Sequence, residues 1–195
     1  MVTVLTELLR ASEREGEIVS LMGDSSGGNM ILSLAVEIMS RPVWERKFAP
    51  KSLMLVCPST DLRHQSEEEE KMEREGKDPL LVIREEKRTA AQWAGDWGAE
   101  DVRVSPLLRG DGLKILKEMG TRVHGVTAGH DILTPDALKL RAKLEELGVE
   151  GKWLHWERQM HGFPLAFPYK LKESVEGVKW ITEVLKDECE SGVDT

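Results

Sequence analysis

The 195-residue sequence has only two cysteines, Cys57 and Cys189, and they lie far apart. A disulfide framework or a cysteine-rich metal site is therefore not what holds the chain together. Cys57 falls inside an apolar run and is expected to be a small buried side chain. No run of about 18 apolar residues occurs, so no segment has the length of a membrane-spanning helix. The first residues, Met1 to Arg10, lack the basic start and unbroken apolar centre of a secretory signal and carry Glu7. A cytoplasmic location is the expectation for the chain as it stands. Positive charge is in deficit: 27 Lys and Arg against 35 Asp and Glu give a net charge of -8. That argues against nucleic acid or an anionic membrane surface as the main partner. Internal repeats and low-complexity linkers are also missing. What is present, 40% hydrophobic residues, suits one domain over residues 1–195 with a sizeable core.

The stretch around which the rest is arranged is Leu21-Met22-Gly23-Asp24-Ser25-Ser26-Gly27-Gly28-Asn29. It holds a G-x-S-x-G pattern, between the apolar run that starts at Glu17 and the apolar segment from Met30 to Met39. A strand that turns sharply into a helix at a serine is a nucleophile elbow, which strains the serine and exposes its hydroxyl. Gly23 and Gly27 are expected to be required because side chains there would clash across the turn. The backbone N–H of Ser26, at the helix start, can face a developing oxyanion.

Val4, Leu5, Leu8 and Leu9 recur at helical spacing, and Arg14-Glu15-Gly16 then turns the chain into the elbow strand. After the elbow, Ile31, Leu34, Ala35 and Ile38 mark the buried stripe of a helix. Ser52 to Cys57 is a short continuous apolar run, expected to be a strand buried on both faces. A polar excursion of about 59–105 follows, expected to be a cap inserted over the end of a sheet. Within it, Glu67-Glu68-Glu69-Glu70 is expected to be solvated, and 84–97 to be helical, with Trp93 and Trp97 either lining a substrate pocket or, the ordinary role, packing. Thr121 to Ala128 is a third strand. Thr134 as N-cap, Pro135 and Asp136 start a helix that Gly148 stops. Gly151 to Trp156 is a fourth strand, and Leu171, Val175, Val178, Ile181 and Leu185 predict a closing helix. Strands alternating with helices predict an α/β fold, a parallel sheet with flanking helices.

A serine hydroxyl needs a histidine to take its proton and an acid to orient that histidine. In an α/β sheet both belong just past the carboxyl ends of strands. The third strand is followed by Gly129-His130-Asp131, the fourth by Met160-His161-Gly162. Asp131 and His161 are the candidates. His64, His124 and His155 are more plausibly structural or solvent-facing, His130 shares a loop with its own orienter, and Asp136 has a helix-start role. The order Ser25, Asp131, His161 is that of an α/β hydrolase.

Three segments resemble the hormone-sensitive-lipase-like carboxylesterases of that superfamily. Gly23-Asp24-Ser25-Ser26-Gly27-Gly28-Asn29 resembles the G-D-S-A-G-G-N elbow. Asp131-Ile132-Leu133 resembles the D-P-L acid segment, and His161-Gly162-Phe163 the H-G-F segment. Ser105-Pro106-Leu107 resembles the family's S-P-L. Departures are Ser26 for alanine and Thr134-Pro135 for R-D. The resemblance implies a serine carboxylester hydrolase acting on small-molecule esters through an acyl-enzyme, with catalytic Ser25, Asp131 and His161, the Ser26 N–H in the oxyanion hole, and neither metal nor cofactor. The family's upstream H-G-G-G segment, which supplies the other oxyanion donors, is absent from the sequence. The expectation is a partial α/β-hydrolase fold truncated at its N-terminus. Its elbow strand would form an exposed edge suited to a homodimer or another partner. The alternative function is a catalytically impaired remnant that binds a small molecule or a protein.

Overall fold

The computed structural model describes residues 2–15 and 19–190. Four parallel strands run in sequence order: β1 (Ser20–Asp24), β2 (Ser52–Val56), β3 (Arg122–His130) and β4 (Trp153–Met160). They are separated by α1 (Val2–Glu15), α2 (Ser26–Met39), α3 (Glu67–Arg74), α4 (Ile83–Ala94), α5 (Lys114–Met119), α6 (Thr134–Glu146) and α7 (Lys172–Glu190). The expected turn at Gly16, with the strand start at Glu17 and Ile18, lies outside the described residues. β1 pairs only with β2 among the described residues, so it forms an edge of the sheet. No described helix is long and apolar enough to cross a membrane.

The pleat sends alternate residues of β2 to opposite faces. Leu53 and Leu55 join Leu32, Val36, Leu140 and Leu144 on the side of α2 and α6. Met54 and Val56 join Ile181, Val184 and Phe163 on the side of α7. Every residue of β2 is buried, as the continuous apolar run predicts.

Helix faces are where the sequence expectations slip. In α1 Leu9 is buried and Leu5 packs beside it, but Val4 and Leu8 are exposed. In α2 Ala35 and Ile38 of the predicted stripe are buried but Ile31 and Leu34 are only half-buried, and the buried face turns to Leu32, Val36 and Met39. In α7 Leu171 and Val175 are exposed, and the buried face is Ser174, Gly177, Ile181, Val184 and Glu188. The reason is packing and pairing: Phe163 lies against Gly177, and Glu188 turns inward to His124 and Arg122. At the start of α6 the cap position is Leu133, not Thr134. The Thr134 hydroxyl bonds back to Ala128, fastening the helix to the end of β3.

Candidate active site

β1 ends at Asp24, paired with Val56 at the end of β2. Ser25 and Cys57 follow these positions, so they leave two neighbouring strands side by side. Both have positive φ, 51° and 46°, a conformation that non-glycine residues adopt only under constraint. The Ser25 N–H donates to Val56 O at 2.9 Å, and α2 begins at Ser26 with Ser25 in the cap position. The elbow is therefore present, with the N–H groups of the first turn of α2 beside the serine.

Only one of the two glycines expected to be sterically required is so. A Cβ on Gly23 would come within 2.4 Å of the Gly27 backbone, whereas one on Gly27 would meet open space. The second tight position is Gly28, where a Cβ would stand 3.0 Å from Pro58. Asn29 ties the elbow to the excursion: its Nδ2 donates to Ser59 O and to Val104 O, each at 2.7 Å. One buried amide thus holds both ends of the 59–105 segment against α2. Within that segment Leu62, Ala90, Ala94 and Val104 form a small apolar cluster of their own.

Asp131 leaves the carboxyl end of β3 and is fully buried. Its Oδ1 accepts the Leu133 N–H at 2.9 Å, and its Oδ2 accepts from His161 Nδ1, also at 2.9 Å. His161 stands just past β4. Burial pushes its imidazole down, but the hydrogen-bonded Asp131 carboxylate outweighs this and holds it above its ordinary value, aided by Asp78 and Glu86. Because Nδ1 carries the proton given to Asp131, Nε2 is left as the basic nitrogen. Asp78 also secures the acid loop, accepting the Ile132 N–H at 3.0 Å.

Cys57 is buried as expected, yet it is more than a small hydrophobe. Its Sγ, an Asp131 oxygen and a His161 nitrogen all lie within 4.8 Å of one another, the one such cluster with metal-ligand spacing among the described residues. Burial, reinforced by Asp131, pushes the thiol well above its ordinary value. The thiol stays protonated, which suits neither metal ligation nor nucleophilic attack. The rule that strand ends carry chemistry could have singled out Cys57.

Ser25 and Ser26 open onto a cavity of about 170 Å³, lined also by Ser59, Leu62, His64, Glu86, Thr89, Ala90 and Trp93. Trp93 therefore faces the cavity beside the serine. Trp97 does not: it lies under the Arg103 guanidinium, 4.2 Å from the ring centre, beside a separate hollow of about 440 Å³ over α2. The other histidines are accounted for or newly placed. His124 is buried against Glu188, and His155 in β4 bonds Thr127. His130 ends β3. His64, expected to be structural or solvent-facing, is buried at the cavity wall. Glu69, expected to be solvated with its three neighbours, is buried beside it.

A family profile described as the alpha/beta hydrolase fold matches residues 2–165. The chain belongs to this family. Solved structures of similar fold include an esterase/lipase from an uncultured bacterium. It has a TM-score of 0.80 and 21% identity, over 96% of this chain and 59% of that one. An esterase of the bacterial hormone-sensitive lipase family gives 0.80 and 20%, over 96% and 60%. A carboxyl esterase from the mycorrhizal fungus Tuber melanosporum gives 0.78 and 20%, over 96% and 60%. These likenesses establish the fold, and the chain spans about three-fifths of the length of the proteins it resembles. No curated protein matches the sequence.

Proposed function

We propose that this α/β hydrolase is a serine carboxylester hydrolase. Ser25 Oγ attacks the ester carbonyl carbon, and its proton passes to His161 Nε2. The C–O bond to the alcohol breaks, and His161 returns the proton to the departing alkoxide. Water, activated by the same nitrogen, then cleaves the acyl-serine. Asp131 orients His161 and stabilises its charged form. The Ser26 N–H donates to the oxyanion; a second donor, such as the H-G-G-G segment of similar esterases supplies, would add about 10²–10³ in rate. The 59–105 segment acts as a cap, and the cavity beneath it has room for a short acyl chain. The observation that carries the reading is the His161–Asp131 bond, made past the same end of the parallel sheet at which the strained Ser25 leaves β1.

The test is hydrolysis of p-nitrophenyl butyrate. Ser25→Ala should lower kcat by about 10⁴-fold or more, with circular dichroism unchanged. Comparable turnover by the variant would refute the assignment. The edge position of β1 supports a second reading, a binding module that pairs through this strand with another copy. Light scattering after size-exclusion chromatography separates them: a stable dimer with no esterase activity favours the second reading, and an active monomer rejects it.

A further inference from the structure

Buried polar atoms without a hydrogen-bond partner are few in any fold, because each gives up its bonds to water with no return. Here two of them belong to neighbouring residues: His64 Nδ1 and Glu69 Oε2 have none, although both residues are about 1% exposed. His64 also has a φ of 46°, a left-handed backbone that a histidine holds only when its surroundings demand it. The Glu69 carboxylate faces its ring, with Nδ1 3.7 Å from Oε1. That is too long for a hydrogen bond, and a shift of under about 1 Å would make one. Of this pair, His64 forms part of the wall of the Ser25 cavity, and Glu69 stands behind it.

The remaining lining states what the cavity would accept. Leu62, Ala90 and Trp93 offer apolar contact, while Ser59, Thr89 and Glu86 offer oxygen acceptors. No lysine or arginine is among the described residues that line it. A plain alkyl chain would strip water from these groups and return no bonds. An anionic chain would meet the Glu86 carboxylate. A chain bearing an O–H or N–H group would find acceptors.

We propose that His64 is a specificity-determining residue. With Nδ1–H directed at Glu69, it presents Nε2 as a hydrogen-bond acceptor and selects short acyl esters that carry a hydrogen-bond donor on the acyl chain. Docking of such a chain closes the gap between His64 Nδ1 and Glu69 Oε1 and gives Nδ1 the partner it lacks. The inference rests on Ser25 being the nucleophile, since Ser25 fixes where the acyl chain lies.

The experiment compares kcat/KM for the ethyl esters of butyrate, 3-hydroxybutyrate and 3-aminobutyrate. Wild type should prefer at least one donor-bearing ester over butyrate by about tenfold, the worth of one or two added hydrogen bonds. The hydroxyl and amine arms identify which donor is read. His64→Asn, chosen because asparagine tolerates positive φ, should bring that ratio close to one. Glu69→Gln, which keeps the volume, should reduce it part-way and provides a second test if His64→Asn does not fold. Equal kcat/KM for all three esters, or a wild-type ratio retained in both variants, would overturn the proposal. Labelling of wild-type Ser25 by a fluorophosphonate is read in parallel. Its absence refutes the nucleophile itself, whereas labelling with a flat ratio refutes only the role of His64.

Discussion

β3 has a histidine–carboxylate pair at each end, and the two ends behave differently. At the amino end His124 Nδ1 accepts the Lys152 N–H at 3.0 Å, and Nε2 faces Glu188 at 3.2 Å. Glu188 also takes two hydrogen bonds from Arg122. Both ring nitrogens are engaged by the protein. Desolvation outweighs Glu188 and holds the imidazole below its ordinary value. At the carboxyl end His161 gives Nδ1 to Asp131 and is held above its ordinary value. The residue types match; the setting does not. The first pair is closed by a neighbouring strand and α7. The second stands on loops past the carboxyl ends of the strands, the same end of the sheet as the strained serine, where the proposed mechanism requires a nitrogen in reserve.

The comparison breaks most sharply with Asp131→Asn. The amide can still bond the imidazole but favours the wrong tautomer, and kcat should fall by roughly 10⁴-fold with little change in stability. A loss below tenfold would place Asp131 outside the proposed mechanism. Glu188→Ala should do the reverse. Removing one member of a buried pair should cost about 3 kcal/mol in urea unfolding, while kcat per folded molecule stays within about twofold. A large fall in kcat there would mean that the two ends are coupled.

The pairs also predict opposite pH signs. His161 must be neutral to accept a proton. Its raised pKa places the acid limb of kcat/KM above the ordinary 6.5, so turnover falls as pH drops through that limb. Asp131→Asn should move the limb downward. In stability, the folded pKa of His161 exceeds the unfolded one. Its contribution is therefore fully present below 6.5 and lost as pH rises through the folded value. His124 is lowered on folding, so its contribution is lost as pH falls below 6.5 towards its folded value. Melts of His124→Gln and His161→Gln across pH 5–8 test both signs. The smallest effect is at the elbow: Gly27→Ala, with open space for the methyl, should change stability by no more than about 1 kcal/mol.

Ser25, Asp131 and His161 were legible because strand ends and glycine-framed turns are local, and local sterics leave a local signature. Long-range pairing leaves none. Glu69 sits in a run of four glutamates, and nothing in the run distinguishes the one that meets His64 and Asp136. Glu188 and Gly177 broke the apolar period of α7, since the buried face of that helix is chosen by Phe163, Arg122 and His124. Thr134 looked like a helix cap because its usual partner is the first turn; here β3 supplies the partner instead. The fold class needed only the alternation of elements.

The most direct test is the reaction of the intact chain with a fluorophosphonate, with the adduct mapped by mass spectrometry and its rate followed against pH. The account predicts a single adduct on Ser25. Its formation should slow as pH falls through a limb above 6.5 and should be abolished by His161→Ala. An adduct elsewhere, or one on Ser25 that forms as fast in His161→Ala, would contradict it.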